Sequence, residues 1–184
     1  MEMALRSKWG IFNSDNRGFY WNNWAAPKAN FLTWRALIDK VPSKVGLLRR
    51  GIPIGDVFCP RCGIVEEDSD HLFVNCLWSR SIWWNILAWI RIKFPLEAHN
   101  LPSLFSHILG SPGGKIWRKI VYAIAISTVW KIWIVRNKKV FDDYFFPVSS
   151  VVEQIKEESF LLISNRSNIK NLRWENWKLF NLLI

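Results

Sequence analysis

The sequence predicts a mainly α-helical fold gathered around one compact cysteine–histidine cluster. Three observations point there. Apolar residues recur three and four positions apart through much of the chain, as in Phe31, Trp34, Leu37 and Ile38, and again in Trp130, Trp133, Ile134, Asn137 and Phe141. Half of the 184 residues are hydrophobic and 13 are Trp, enough apolar surface to build a core and too much for a disordered chain. All three cysteines and one of the three histidines lie between positions 59 and 76. Collagen-like, mucin-like and coiled-coil classes fail on composition.

The elements follow in chain order. Residues 1–26 mix Trp, Asn, Gly and Ser without a period, and an irregular N-terminal segment, 1–23, is expected. Pro27 suits a first helical turn, because its missing N–H would be unpaired there anyway, and the helix runs to about Lys40. Pro42 interrupts, and Ser43 caps a short helix carrying Val45, Leu47 and Leu48 and ending at Gly51. A Pro/Gly-rich stretch, 52–58, leads into the cysteines. A long helix is expected from His71 to about Lys93, then a linker from Pro95 to Pro102 and a short helix over 103–109. Ser111-Pro112-Gly113-Gly114 separates these from a long Trp-rich helix over about 115–140; linker and helix together fill 95–147. The C-terminal helices, 148–184, begin with Ser150 and Glu153 at capping-box spacing, run to about Ser164, and end with a helix over 168–184 carrying Trp174 and Trp177.

No targeting segment is read at the N-terminus, which lacks an apolar stretch and a small-residue cleavage site. The longest apolar run, Ile120–Trp130, is short of the roughly 20 residues of a membrane span and reads as a buried helix, so no membrane partner is expected. An odd number of cysteines without a secretory signal points to a reducing, intracellular compartment, nucleus or cytoplasm, where the sequon Asn165-Arg166-Ser167 stays idle.

One constellation carries chemistry: Cys59-Pro60-Arg61-Cys62, eight residues, His71, four residues, Cys76. A Cys-x-x-Cys turn brings two thiolates to one ion, and Gly63 permits the positive φ that such turns use. Three sulfurs and one nitrogen form a structural Zn²⁺ set, and four protein ligands leave no open position for catalysis. The same residues also admit two other readings, four small buried side chains without metal, or a Cys-x-x-Cys redox pair. The spacing resembles the retroviral nucleocapsid knuckle, Cys-x2-Cys-x4-His-x4-Cys, with a longer middle loop. His99 and His107 stand apart and read as surface or packing residues.

The chain around this motif resembles the zinc-binding domain that follows the reverse transcriptase in plant non-LTR retrotransposons. Trp24-Ala-Ala-Pro27-Lys28-Ala-Asn-Phe31-Leu-Thr-Trp34-Arg35-Ala36 resembles its W-x-x-P-K-x-x-x-F-x-W-R-A opening. Asp39 to Ser43-Lys44 with Leu47-Leu48-Arg49-Arg50-Gly51-Ile52 resembles its L-P-T-K…L-x-R-R-G-I segment, with Val41 and Ser43 in place of Leu and Thr. Cys59-Pro60-Arg61-Cys62-Gly63, Glu66-Glu67 and Asp70-His71-Leu72-Phe73-Val74-Asn75-Cys76 resemble its C-P-x-C-G…E-x-x-x-H-L-F-x-x-C core. Trp130, Trp133, Arg136, Asn137 and Phe141 resemble its downstream W-x-x-W-x-x-R-N-x-x-x-F helix. The resemblance covers about 24–141. It implies a helical domain around a small Cys3His zinc knuckle over 24–94, Zn²⁺ as cofactor, and binding of element RNA or target DNA during target-primed reverse transcription.

Polymerase chemistry is not expected. Asp142-Asp143 follows a helix rather than sitting in a strand turn, and no carboxylate set for two metal ions is visible among 15 acidic residues. No catalytic residue and no small-molecule substrate are expected; the chain reads as a fragment or freestanding derivative of such an element's C-terminal part. The net charge of +10 divides unevenly. Residues 27–58 carry six basic against two acidic residues, 77–147 carry ten against three, and the metal loop 59–76 carries one against four. An acidic loop repels phosphate, so the expected nucleic-acid contacts lie on the flanks: Lys40, Lys44, Arg49 and Arg50, and Lys131, Arg136, Lys138 and Lys139. Solvated helix faces are the alternative for these cations. Most Trp residues read as core, with Trp83-Trp84 and Trp174/Trp177 the most exposed. Two rivals to nucleic-acid binding stand: a module docking on a polymerase domain through its Trp-rich face, and a folded remnant without a task.

Overall fold

The computed structural model describes residues 19–170 and 172–182. Most of the expected irregular N-terminal segment, residues 1–18, lies outside them. Among the described residues there are seven α-helices and no strand: α1 Pro27–Leu37, α2 Lys44–Leu48, α3 Leu77–Trp89, α4 Leu101–Gly110, α5 Lys115–Asp142, α6 Val148–Arg166 and α7 Trp174–Lys178. A π-helical turn, His71–Asn75, precedes α3, and one isolated antiparallel bridge joins Phe58 to Glu66.

α5 is the axis of the fold. Residues Ile120 to Val129 are buried on every side, with α1, α4, α6 and the π-turn packed around them. Ala123, Ala125, Ser127 and Thr128 keep this stretch thin, which lets neighbouring backbones approach closely. By length and composition alone α5 is long and apolar enough to cross a membrane, yet 78% of its most apolar window is buried inside the protein. The expected stripe Trp130, Trp133, Ile134, Asn137 and Phe141 is not the buried face. Those residues flank it, Phe141 is largely exposed, and Val129, Ile132, Val135 and Arg136 point inward instead.

α1 departs from expectation in the same way. Its buried face is Ala29, Leu32, Thr33, Ala36 and Leu37, small enough to seat the helix on α5, while Phe31 and Trp34 face outward and stack on each other with ring centroids 5.7 Å apart. The turn before α1 is held by Asn30, whose Nδ2 donates to Asn22 O (2.9 Å), while Asn22 Nδ2 donates to Lys119 O on α5 (2.8 Å).

Helix ends follow capping chemistry only in part. Ser43 Oγ accepts from Gly46 N (3.1 Å) and caps α2, and Gly51 closes the next turn at φ 74°. Asn100 Oδ1 accepts from Ser103 N (2.8 Å) and caps α4. Ser150 does not cap α6: the helix begins at Val148, after Pro147, and Ser150 Oγ accepts from Gln154 one turn on. The last helix is only Trp174–Lys178 rather than 168–184. Trp83 and Trp177 are fully buried, against expectation, because each indole N–H finds a carbonyl: Trp83 Nε1 donates to Phe73 O (2.8 Å) and Trp177 Nε1 to Lys156 O (2.9 Å). Apolar side chains from Trp24 to Phe180 form one continuous core.

Candidate metal centre

The Cys-x-x-Cys turn is shaped by its backbone. Gly63 N donates to Cys59 O (2.8 Å), Gly63 takes φ 68°, and Cys59 N and Glu67 N donate to Val65 O and Val57 O across the isolated bridge (both 2.8 Å). This folds the segment back on itself and aims Cys59 and Cys62 at the π-turn. The π-turn explains the second half of the spacing. In an α-helix, residues five apart are rotated by about 140°, so His71 and Cys76 would diverge. Here Cys76 N donates to His71 O (2.8 Å), an i to i+5 bond that brings the two onto one side. The expected continuous helix from His71 is therefore broken: Cys76 leaves helical geometry at ψ 132° and becomes the N-cap of α3.

The four donor atoms of Cys59, Cys62, His71 and Cys76 all lie within 4.8 Å of one another. Cys59 Sγ and Cys76 Sγ are 3.9 Å apart, and Cys62 Sγ and His71 Nε2 3.4 Å. Tetrahedral Zn²⁺ with Zn–S near 2.3 Å and Zn–N near 2.05 Å has S···S edges of about 3.8 Å and S···N edges of about 3.6 Å. The donor set and its spacing thus fit a closed, four-coordinate ion. The hydrogen bond shared with Cys59 holds the Cys76 thiol below its ordinary pKa, with help from the amides of Trp78 and Ser79 at the start of α3; the same bond, with burial, pushes Cys59 up.

Two arginines fix this centre to the helices. Arg61 N donates to Cys59 Sγ (3.4 Å), and its guanidinium lies between the rings of Trp78 and Phe145, 4.2 and 4.7 Å from their centroids, with Nη2 donating to Val135 O on α5 (3.0 Å). Its charge faces Cys59 and Cys76, so it would offset the net negative charge that three thiolates around a divalent ion would carry. Arg136 forms a two-pronged ion pair with Glu67 in the metal loop: Nε donates to Oε2 (2.9 Å) and Nη2 to Oε1. Glu67 is fully buried and also accepts from Lys44 N (3.1 Å), so one carboxylate joins α2, the metal loop and α5.

Residues 5–83 match the protein family described as zinc-binding in reverse transcriptase. The matched span contains all four donors and ends inside α3; α4 to α7, and with them Arg136, lie beyond it. The matched family is a zinc-binding one, not a catalytic one. No curated protein and no solved structure matches the chain.

The structure distributes the eight sequence-predicted cations unevenly. Arg136 is buried against Glu67, and Lys131 is buried with Nζ on Glu158. Lys44 pairs with Asp56 (2.7 Å), Arg49 with Asp39 (3.4 Å), Lys138 with Asp142 (2.7 Å) and Lys139 with Asp143, all at or near the surface. Arg50 donates to Val41 O (3.0 Å) and Lys40 is exposed. Lys40, Lys44, Arg49 and Arg50 share one region around α2, while Lys138 and Lys139 sit at the far end of α5. Sequence reading missed the roles of Arg61, Glu67 and Arg136 in holding the centre. The signal was present, since all three lie inside the quoted motif stretches, but an arginine there reads equally as a phosphate contact until its partner is seen.

Proposed function

We propose that this chain is a zinc-stabilised nucleic-acid-binding module of the kind that accompanies the reverse transcriptase of plant retrotransposons, working without catalysis of its own. The observation that carries this reading is the Cys3His group, four donors within 4.8 Å of one another inside the segment that matches a reverse-transcriptase zinc-binding family. Zn²⁺ in this site pins the metal loop to α3 and α5 and does no chemistry on a substrate. The partner is RNA or single-stranded DNA, met by cations outside the acidic metal loop. Lys131 and Arg136 are left out of that surface because their charges are neutralised inside the fold. Lys40 and Arg50, which carry no ion pair among the described residues, and Lys44, Arg49, Lys138 and Lys139 stay available, since ion pairs at or near the surface are worth about 0–1 kcal/mol and exchange readily for phosphate.

The test is metal analysis of the purified protein followed by RNA and DNA titrations at two salt concentrations. One Zn²⁺ per chain and salt-sensitive binding support the reading, whereas metal-free folded protein or salt-insensitive binding overturns it. One observation favours a second reading, docking on a polymerase domain: Ile64 and Phe141, beside the knuckle and at the end of α5, are 76% and 77% exposed. Binding to a polymerase fragment that Ile64→Ser and Phe141→Ser abolish, with nucleic-acid affinity unchanged, supports that reading instead.

A further inference from the structure

The basic flank after the metal loop holds a group of cations that were not among the expected nucleic-acid contacts. From Leu77 to Phe141 the only acidic residue is Glu97. In the first part of that stretch Arg80, Arg91, Lys93, Lys115 and Arg118 make no ion pair among the described residues. The fold places two of them, Arg91 and Lys93, on a cleft of about 420 Å³ between the C-terminal end of α3 and the α4–α5 turn. His107 and Ser111 complete its polar lining and Trp117 forms an aromatic wall. Gly113 is what lets that wall stand: a Cβ there would meet the Trp117 ring at 2.2 Å. Arg91 takes a left-handed φ of 60°, and its Nη2 donates to Asn181 Oδ1, which leaves Nε and Nη1 for an anion.

Beside the cleft, the residue after Lys93 continues the same chemistry. Phe94 packs against Trp84 (centroids 5.4 Å apart), with Arg80 5.2 Å over its ring. Trp84 is 57% exposed, whereas its neighbour Trp83 is buried, so the indole is offered to solvent on a stacked support. A cleft of this volume takes one nucleotide unit rather than a duplex. Cations that track a backbone, next to an exposed aromatic that accepts a base, are the elements by which single strands are held without sequence readout.

We propose that this cleft and the adjoining Trp84–Phe94 platform bind the backbone and one base of an unpaired nucleic-acid strand. The proposal rests on the nucleic-acid reading above and moves its main contact from the α2 region to the α3–α4 edge.

The test uses the zinc-loaded full chain and labelled oligouridylate and oligodeoxythymidylate of about twenty nucleotides, with a duplex of the same length as control. Arg80→Glu with Lys93→Glu is expected to weaken single-strand binding at least tenfold and to lower the slope of log affinity against log salt by about 1.4, two contacts at roughly 0.7 each. Trp84→Ala is expected to lose about tenfold on single strands and nothing on the duplex. Zinc content and circular dichroism matching the unmodified chain establish that the variants fold, and Lys93→Gln supplies a milder version of the charge change. Lys40→Glu with Lys138→Glu serves as the comparison. If that pair abolishes binding while the cleft variants leave it intact, the cleft proposal falls and the nucleic-acid reading survives. If the unmodified chain binds neither oligonucleotide, both fall. Equal affinity for RNA and DNA strands fits the cleft, and equal affinity for the duplex overturns it.

Discussion

Replacing Arg136 with Met tests whether the metal loop and the long helix are one unit. Glu67 is 0% exposed and Arg136 4%, so the substitution leaves a carboxylate in the interior with only the Lys44 amide, 3.1 Å from Oε1, to satisfy it. Removing one partner of a buried pair costs about 3–5 kcal/mol, mostly from the stranded charge. At about 2.1 cal/mol/K per residue, 184 residues give an unfolding entropy near 0.4 kcal/mol/K, so the melting temperature is expected to fall by about 10 °C. Adding Glu67→Gln to Arg136→Met removes the stranded charge while the amide still accepts from Lys44. The double variant should therefore regain most of the loss, with a coupling energy of at least about 2 kcal/mol in urea titrations of zinc-saturated protein. A chelator should also strip Zn²⁺ faster from Arg136→Met, because the loop carrying the ligands loses its tie to α5. A shift below about 2 °C, or a double variant as unstable as the sum of the singles, would refute the coupling.

Other outcomes follow from the same geometry. Cys62→Ser and Cys76→Ser should each lower bound zinc below one per chain and the melting temperature with it; unchanged metal content and melting would remove the structural-zinc reading. Arg61→Gln takes a positive charge away from three thiolates and should weaken zinc retention in chelator competition, whereas Arg61→Lys restores part of it. Gly63→Ala places a Cβ at φ 68° with open space around it, so its cost is backbone strain alone, about 1–2 kcal/mol by urea midpoint, and Gly63→Asn should cost less. Burial raises the Tyr122 phenol above its ordinary value of about 10. A raised folded-state value means that its stabilisation is complete below pH 10 and is lost as pH climbs above it, because only the unfolded chain ionises there. Alkaline titration by ultraviolet absorbance should show the Tyr122 phenol ionising only with unfolding, and Tyr122→Phe should blunt that alkaline loss of stability.

The helical class and most helix boundaries were readable from proline positions and apolar spacing, since both act locally. Faces were harder. Phe31, Trp34 and Phe141 are large and apolar, so periodicity assigns them inward. The structure turns them out because α1 seats on α5 through a face that includes the small residues Ala29, Thr33 and Ala36, and small residues contribute little to an apolar pattern while setting how closely backbones approach. That Cys59, Cys62, His71 and Cys76 form one group was legible from spacing alone. The π-turn was not, because a five-residue run of apolar side chains looks the same in α and π geometry; only the need for His71 and Cys76 to share one ion implies it. Charge was the least legible quantity. Arg136 and Glu67 are 69 positions apart and Lys131 and Glu158 are 27 apart, so local charge counts assigned to the surface two cations that the fold neutralises inside.

That neutralisation bears on what a metal ion would do here. The acidic metal loop, four carboxylates against Arg61, sits beside three thiols that become thiolates when an ion binds. Left to itself such a loop repels its own ligands. Two features of the chain counter this, Arg61 held between Trp78 and Phe145 and Arg136 reaching from α5 to the one carboxylate that is buried, and a bound cation would be the third. Two of the three come from or lean on the part of the chain after α3, since Arg136 is on α5 and Arg61 is fixed by Val135 and Phe145. Metal loss therefore should not unfold the knuckle alone. It leaves Arg61 and Arg136 facing a rearranged loop from within the core, and the loss of helicity on chelation should extend to α5, where amide exchange near Val135 should rise along with exchange at Cys59–Cys76. Exchange confined to 59–76, with α5 as protected as before, would mean that the knuckle and the helical core are independent and that the buried ion pair survives without zinc.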